Sequence, residues 1–174
     1  MARAWLLAAG LALLVAPALM VNPLMSGLSS VTEKPILVAA REATNERDKW
    51  AVFGAFVFSQ GLKVQGLDVV TGSKFVPDKH LSGVLDPARK NESVWNRYAH
   101  VVFTSRPGHE PVFELKGPDL YVVQLDVCGK EMDRLGITLV AYTEAVPHED
   151  LVCLRPISAP IDSGVRLFRR LGVE

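Results

Sequence analysis

The hydrophobic positions of this chain form one long apolar stretch near the start and a series of short apolar segments after it. From Ala4 to Val21 all eighteen residues are apolar, and no charged residue occurs between Arg3 and Glu33. A helix needs roughly 20 apolar residues to cross the hydrocarbon core of a bilayer. The pattern therefore predicts a transmembrane helix, or an uncleaved signal anchor, over residues 1–21.

The orientation of this helix follows from the charges beside it. Arg3 is the only charged side chain before the apolar stretch, so the positive-inside rule puts the N-terminus in the cytoplasm. We therefore expect a single-pass protein of the cell membrane whose C-terminal domain is extracytoplasmic. Two alternatives remain open. The small residues Ala16-Pro17-Ala18 are typical of a signal-peptide cleavage site, and the chain is also compatible with the last span and tail of a longer polytopic protein.

The rest of the chain predicts a juxtamembrane linker over residues 22–34 and a compact domain over residues 35–174. The linker is rich in Pro, Gly and Ser. The domain opens with apolar residues at helical spacing, and the continuous apolar run from Trp50 to Phe58 then favours a strand covered on both faces. Lys74 to Lys90 predicts a polar loop with one helical turn at His80–Leu85.

Later segments predict more strands. Ala99–Phe103 and Ile137–Tyr142 are short apolar runs, typical of buried strands. The turn signal Gly117-Pro118-Asp119 separates two further strands, 112–116 and 120–127, which we expect to form an antiparallel hairpin. Together these elements predict the α/β class, with one N-terminal transmembrane helix followed by a compact mixed-sheet domain.

Composition and charge reduce the number of function classes that this chain can belong to. Nineteen basic and nineteen acidic residues give a net charge of zero without a basic stripe, which argues against nucleic-acid binding. The two cysteines, Cys128 and Cys153, favour a disulfide in an exported domain, although two separate buried thiols remain the alternative. No CxxC motif or close Cys/His cluster predicts a metal site, and no motif predicts a cofactor.

The densest group of polar side chains is Asn96, Arg97, Tyr98 and His100, just before a predicted strand. Ligands bind at strand ends in α/β sheets, so these residues are candidates for binding a polar or anionic ligand. The alternative is that they anchor their own loop. Neither the GxSxG elbow nor a complete phosphate-binding loop is present, so the catalytic residues, if any, stay unknown.

Several segments in order carry a resemblance to a known class of proteins. They are the apolar stretch running into NPLMSGL (22–28), WNRYAHVVF (95–103), YVVQLDVCG (121–129), LGITLVAY (135–142) and a late Cys-Leu pair at 153–154. This order resembles the C-terminal extracytoplasmic tail of bacterial polytopic membrane proteins that are similar to GT-C-type, lipid-phosphate-sugar-dependent glycosyltransferases.

The resemblance implies a membrane-anchored accessory module, non-catalytic by itself, that works in cell-envelope glycan assembly beside a polytopic glycosyltransferase-like partner. The alternative is a free-standing exported α/β protein, a ligand binder or an enzyme, with a polar site around Arg97.

Overall fold

A computed structural model describes residues 5, 10–13, 15, 29–157 and 164–172 of the chain. It divides into two units, Met1–Lys34 and Pro35–Glu174. The membrane helix expected over residues 1–21 lies largely outside the described residues, and among the described residues no helix is both long and apolar enough to span a bilayer. The expected linker is described only from Ser29 onward, where one helical turn, Ser29–Thr32, is present.

The second unit alternates helices and strands. Its helices are α1 (Pro35–Glu42), α2 (Phe56–Val64), α3 (Lys79–Leu85), α4 (Glu92–Trp95) and α5 (Lys130–Arg134), and a 3-10 helix spans His148–Cys153. Its strands are β1 (Trp50–Phe53), β2 (Gly72–Lys74), β3 (Ala99–Ser105), β4 (Val112–Gly117), β5 (Leu120–Leu125), β6 (Leu139–Tyr142), β7 (Leu154–Pro156) and β8 (Arg166–Arg170).

These strands form one eight-stranded mixed sheet, which confirms the predicted α/β class. The strand order is β4-β5-β3-β1-β6-β8-β7, and β2 pairs with β3. The four central strands β5, β3, β1 and β6 run parallel. The outer pairs are antiparallel, and the β4–β5 hairpin predicted around Gly117-Pro118-Asp119 is confirmed.

Successive strand residues point to opposite sides of the sheet, and apolar residues on each side pack against helices. Helices therefore cover both faces of the sheet. On one face α1 and α2 pack over a core that includes Leu37, Leu62, Trp50 and Leu139. On the other face α3, α4 and α5 contribute residues such as Met132 to a larger core. β1 and β6 are buried on both sides, as their continuous apolar sequences predict, whereas β3 alternates buried and half-buried residues.

The apolar run from Trp50 to Phe58 is a single strand only in its first half. The strand ends at Phe53, and Gly54 adopts a φ of +99°, which an L-residue with a side chain rarely tolerates. The chain reverses there, and α2 begins at Phe56. The prediction of a strand to Phe58 is wrong because a short apolar run does not distinguish a buried strand from a helix start.

The two cysteines form the predicted disulfide. Cys128 and Cys153 are bridged across a sequence separation of 25, with their Cα atoms 5.7 Å apart. The bond joins the segment before α5 to the end of the 3-10 helix, two irregular parts of the chain that border the larger core.

Candidate functional site

The carboxyl ends of the central strands are the usual ligand crevice of a parallel sheet, and in this protein the segments that follow β1 and β6 are in close contact there. Thr143 follows β6, and its hydroxyl accepts a hydrogen bond from the backbone N–H of Ala55 at 2.6 Å. A Cβ atom added to Gly54 would lie 2.3 Å from the same hydroxyl oxygen. No room for a ligand remains between these two chain segments.

A large open groove lies beside β2, α3 and α4. Its volume is about 1070 Å³. The lining residues come from the end of β2, the following loop, both helices and the loop between them: Lys74, Val76, Pro77, Asp78, Lys79, Ser82, Gly83, Asp86, Pro87, Arg89, Glu92, Trp95 and Asn96. The groove is large enough for several sugar units or an extended peptide.

Most charged side chains of the groove are paired with each other. Lys74 Nζ donates to Asp78 Oδ2 at 2.9 Å, and Asp78 also caps α3 through the backbone N–H of Leu81. Arg89 forms an ion pair with Glu92. Because these charges neutralise one another, the groove favours a ligand that is polar rather than strongly charged.

Asp86 fixes the loop between α3 and α4, which borders the groove. Its buried carboxylate accepts hydrogen bonds from the indole N–H of Trp95 at 2.9 Å and from the backbone N–H groups of Lys90 and Asn91 at 3.0 and 2.6 Å. Burial alone would raise the pKa of Asp86, but these hydrogen bonds outweigh it and hold the pKa below its ordinary value. This carboxylate is structural, because its partners belong to the loop between α3 and α4 and to α4 itself.

Four rings contact one another in succession near the paired strands β2 and β3, and we call Phe56, His100, Tyr98 and Phe75 the aromatic row. Phe56 stacks on His100 with centroids 4.4 Å apart, Tyr98 meets His100 edge-on at 6.1 Å, and Phe75 lies 5.8 Å from Tyr98. The exposed fractions of Phe75 and Tyr98 are 84% and 47%. The row therefore presents aromatic surface directly to solvent.

The fold explains why residues so distant in sequence meet in this row. Antiparallel pairing of β2 with β3 sets Ser73 opposite His100, and the hydroxyl of Ser73 lies 2.7 Å from His100 Nδ1. Gln60 of α2 donates to the same hydroxyl at 2.9 Å. Tyr98 lies in the bend just before β3 and His100 is the second residue of β3, and their rings meet edge-on.

Residues 30–169 match the family described as "Domain of unknown function (DUF7654)". The chain belongs to the DUF7654 family. No curated protein and no solved structure matches it. None of these comparisons connects the DUF7654 domain with GT-C-type glycosyltransferases.

The DUF7654 domain separates the four polar residues singled out in the sequence. Tyr98 and His100 belong to the aromatic row. Arg97 turns back instead, donating to the backbone carbonyl of Ser93 and, at 3.4 Å, to that of Pro118. These contacts match the loop-anchoring alternative for Arg97. Asn96 is exposed and lies at the groove.

Sequence reasoning missed half of the aromatic row. Phe75 lies in a segment read as a polar loop, and Phe56 in a segment read as a strand. The adjacent pair Phe75 and Val76 was the available signal, because two large apolar residues in a polar loop are unusual, and their exposed fractions are indeed 84% and 71%. Among the described residues no group of three His, Cys, Asp or Glu side chains is placed to hold a metal ion.

Proposed function

We propose that the DUF7654 domain of this chain is a membrane-anchored, extracytoplasmic module that binds a cell-envelope glycan, is non-catalytic by itself, and works beside a polytopic glycosyltransferase-like protein. The observation that carries the proposal is the exposed aromatic row. Large aromatic surface left in water is costly, and contiguous exposed apolar surface commonly marks a binding site.

The surroundings of the row favour a glycan over other ligands. A pyranose ring has a face of C–H groups, which packs against an aromatic ring, and an edge of hydroxyl groups, which need hydrogen-bond partners. Gln60 and Ser73 supply such partners beside His100. Asn96 supplies another at the groove, where Lys74 is paired with Asp78 and Arg89 with Glu92.

Two further observations support the proposed location. The absence of charge between Arg3 and Glu33 supports an anchor in the membrane. The Cys128–Cys153 disulfide supports an oxidising compartment, because structural disulfides are rare in the reducing cytosol. The alternative of a free-standing exported protein with a site at Arg97 has less support, since the Arg97 guanidinium is engaged by two backbone carbonyls.

The binding proposal is tested on the full-length protein in mild detergent, with neutral linear oligosaccharides of glucose, mannose and galactose as probes. Saturation-transfer NMR detects contact, and calorimetry gives the affinity. We expect Phe75→Ala and Tyr98→Ala each to weaken binding by about 1 kcal/mol, roughly fivefold. Val152→Ala is the matched control, because Val152 is 80% exposed but lies on the 3-10 helix. Unchanged affinity in both aromatic variants would show that the aromatic row does not bind the oligosaccharide.

The proposed orientation is tested separately by adding protease to intact spheroplasts. Digestion of the domain without lysis is expected for an extracytoplasmic module, whereas protection until lysis would refute the orientation. Purification of the tagged protein from detergent-solubilised membranes, followed by mass spectrometry, tests the partner. The expected result is a polytopic glycosyltransferase-like protein together with an intact N-terminal segment that contains Arg3.

A further inference from the structure

Lys63 brings a positive charge close to the aromatic row. It lies in the last turn of α2, and its Nζ donates to the backbone carbonyl of Ser73 at 3.2 Å. The hydroxyl of the same serine contacts His100 at 2.7 Å and Gln60 at 2.9 Å. We call Gln60, Lys63, Ser73 and His100 the donor cluster.

The Lys63 ammonium group is attracted by the carboxylates of Asp68 and Asp78 but forms an ion pair with neither. No carboxylate of the described residues forms an ion pair with it, whereas Lys74 has Asp78 at 2.9 Å. Partial burial lowers the pKa of Lys63, and repulsion by Lys74 lowers it further, although Asp68 and Asp78 act in the opposite sense. A half-buried ammonium group without an ion pair is destabilised, and an anion bound there would relieve the destabilisation.

The backbone is shaped to bring this cation against β2. Gly72 has a φ of +92°, and a Cβ atom there would lie 2.8 Å from Gln60 Nε2 and 3.1 Å from Lys63 Nζ. Any larger residue would push α2 and β2 apart. The close approach therefore depends on a glycine, and it holds the Gln60 amide and the Lys63 ammonium group on one side of Ser73.

We propose that the glycan bound on the aromatic row is acidic, and that the donor cluster binds its carboxylate or phosphate group through Lys63. This inference rests on the proposed glycan-binding function. Lys63 supplies the charge, while Gln60 and His100 supply neighbouring N–H groups. Charge-assisted hydrogen bonds of this kind are stronger than neutral ones, so an acidic sugar is preferred over its neutral counterpart.

A more ordinary role for Lys63 is to stabilise the C-terminal end of α2, where a cation interacts favourably with the helix dipole. That role predicts a small change in stability when the charge is removed, and no change in ligand preference. The two explanations therefore differ in a measurement of selectivity rather than of stability.

The test compares three probes on the full-length protein by calorimetry: a galactose hexasaccharide, a galacturonic acid hexasaccharide and a mannose hexasaccharide carrying one phosphate, with unmodified mannose hexasaccharide as its reference. We expect at least one acidic probe to bind about tenfold more tightly than its neutral counterpart. Tighter binding of the galacturonic acid probe would identify a carboxylate as the preferred group, and tighter binding of the phosphorylated probe would identify a phosphate.

Variants of the lysine assign the preference to a residue. Lys63→Gln is expected to abolish it while neutral binding stays within twofold, and Lys63→Arg is expected to retain it. Lys130→Gln is the matched control, because Lys130 is an exposed lysine of α5 that belongs neither to the groove nor to the donor cluster, and it should keep the preference. Equal binding of acidic and neutral probes, or a preference that survives Lys63→Gln, would overturn the inference and leave the proposed function standing. Absence of binding by every probe would overturn both.

Discussion

The carboxylate of Asp48 makes the stability of this domain depend on pH in a way that can be calculated and tested. Arg169 of β8 donates to both oxygens of Asp48, at 3.0 and 3.2 Å. Thr138 donates at 2.7 Å and the backbone N–H of Asn45 at 2.9 Å. This network ties the segment before β1 to the last strand of the sheet, and the Asp48 side chain is only 8% exposed.

The contribution of Asp48 to the free energy of unfolding follows from the pKa of its carboxyl group. Burial would raise the pKa of Asp48, but the hydrogen bonds from Arg169, Asn45 and Thr138 outweigh it and lower the pKa from 3.8 to about 2. A difference of about two pKa units between the unfolded and folded states is worth about 2.5 kcal/mol. Because the folded-state pKa is the lower one, this stabilisation is complete above about pH 5, about half lost at pH 3 and gone below pH 2.

The test substitution is Asp48→Asn. The free energy of unfolding of the full-length variant is measured with urea in mild detergent between pH 7 and pH 3. We expect the variant to lose about 2 to 3 kcal/mol at pH 7, and the difference from wild type to shrink by about half at pH 3. Asp68→Asn is the control, because Asp68 is 66% exposed and 3.8 Å from Lys49, and such surface pairs contribute little. An equal difference between wild type and Asp48→Asn at both pH values would show that the lowered pKa of Asp48 is not the source of the stabilisation.

Three further substitutions test the fold and the site. Replacing Cys128 and Cys153 by Ser should lower the free energy of unfolding by about 3 to 4 kcal/mol, and an equal loss with and without reductant would count against the disulfide as its cause. Gly54→Ala should cost at least about 2 kcal/mol and lower Tm, because its Cβ would lie 2.3 Å from the Thr143 hydroxyl; an unchanged Tm would contradict the close contact. Arg97→Ala should reduce stability by about 1 to 2 kcal/mol without changing oligosaccharide affinity, whereas weaker binding at unchanged stability would place the ligand at Arg97.

The elements that the sequence predicted well are those specified by local chemistry. The β4–β5 hairpin is signalled by Gly117-Pro118-Asp119, and β3 and β6 by short apolar runs. The strand β2 shows the opposite case. Its three residues, Gly72–Lys74, have little strand propensity of their own and are extended because they pair with β3. No local pattern predicts a pairing between segments that lie this far apart in the chain.

The aromatic row could not be assembled from the sequence for the same reason. Phe75 meets Tyr98 only because β2 lies against β3, and Phe56 meets His100 only because the chain turns at Gly54. The sequence pattern identified Tyr98 and His100, which stand close together in the chain. It did not identify the ring on either side of them.

The different positions of Arg97 and His100 show why a dense polar segment is a poor guide to a site. Arg97 lies in the bend before β3, whereas His100 lies within β3 opposite Ser73. The guanidinium of Arg97 satisfies backbone carbonyls of its own loops, whereas the imidazole of His100 is held between Phe56 and the Ser73 hydroxyl at a surface open to solvent. A binding site needs groups that the protein leaves accessible, and by this criterion the surface around Tyr98 and His100 is the better candidate than the more strongly charged residue beside them.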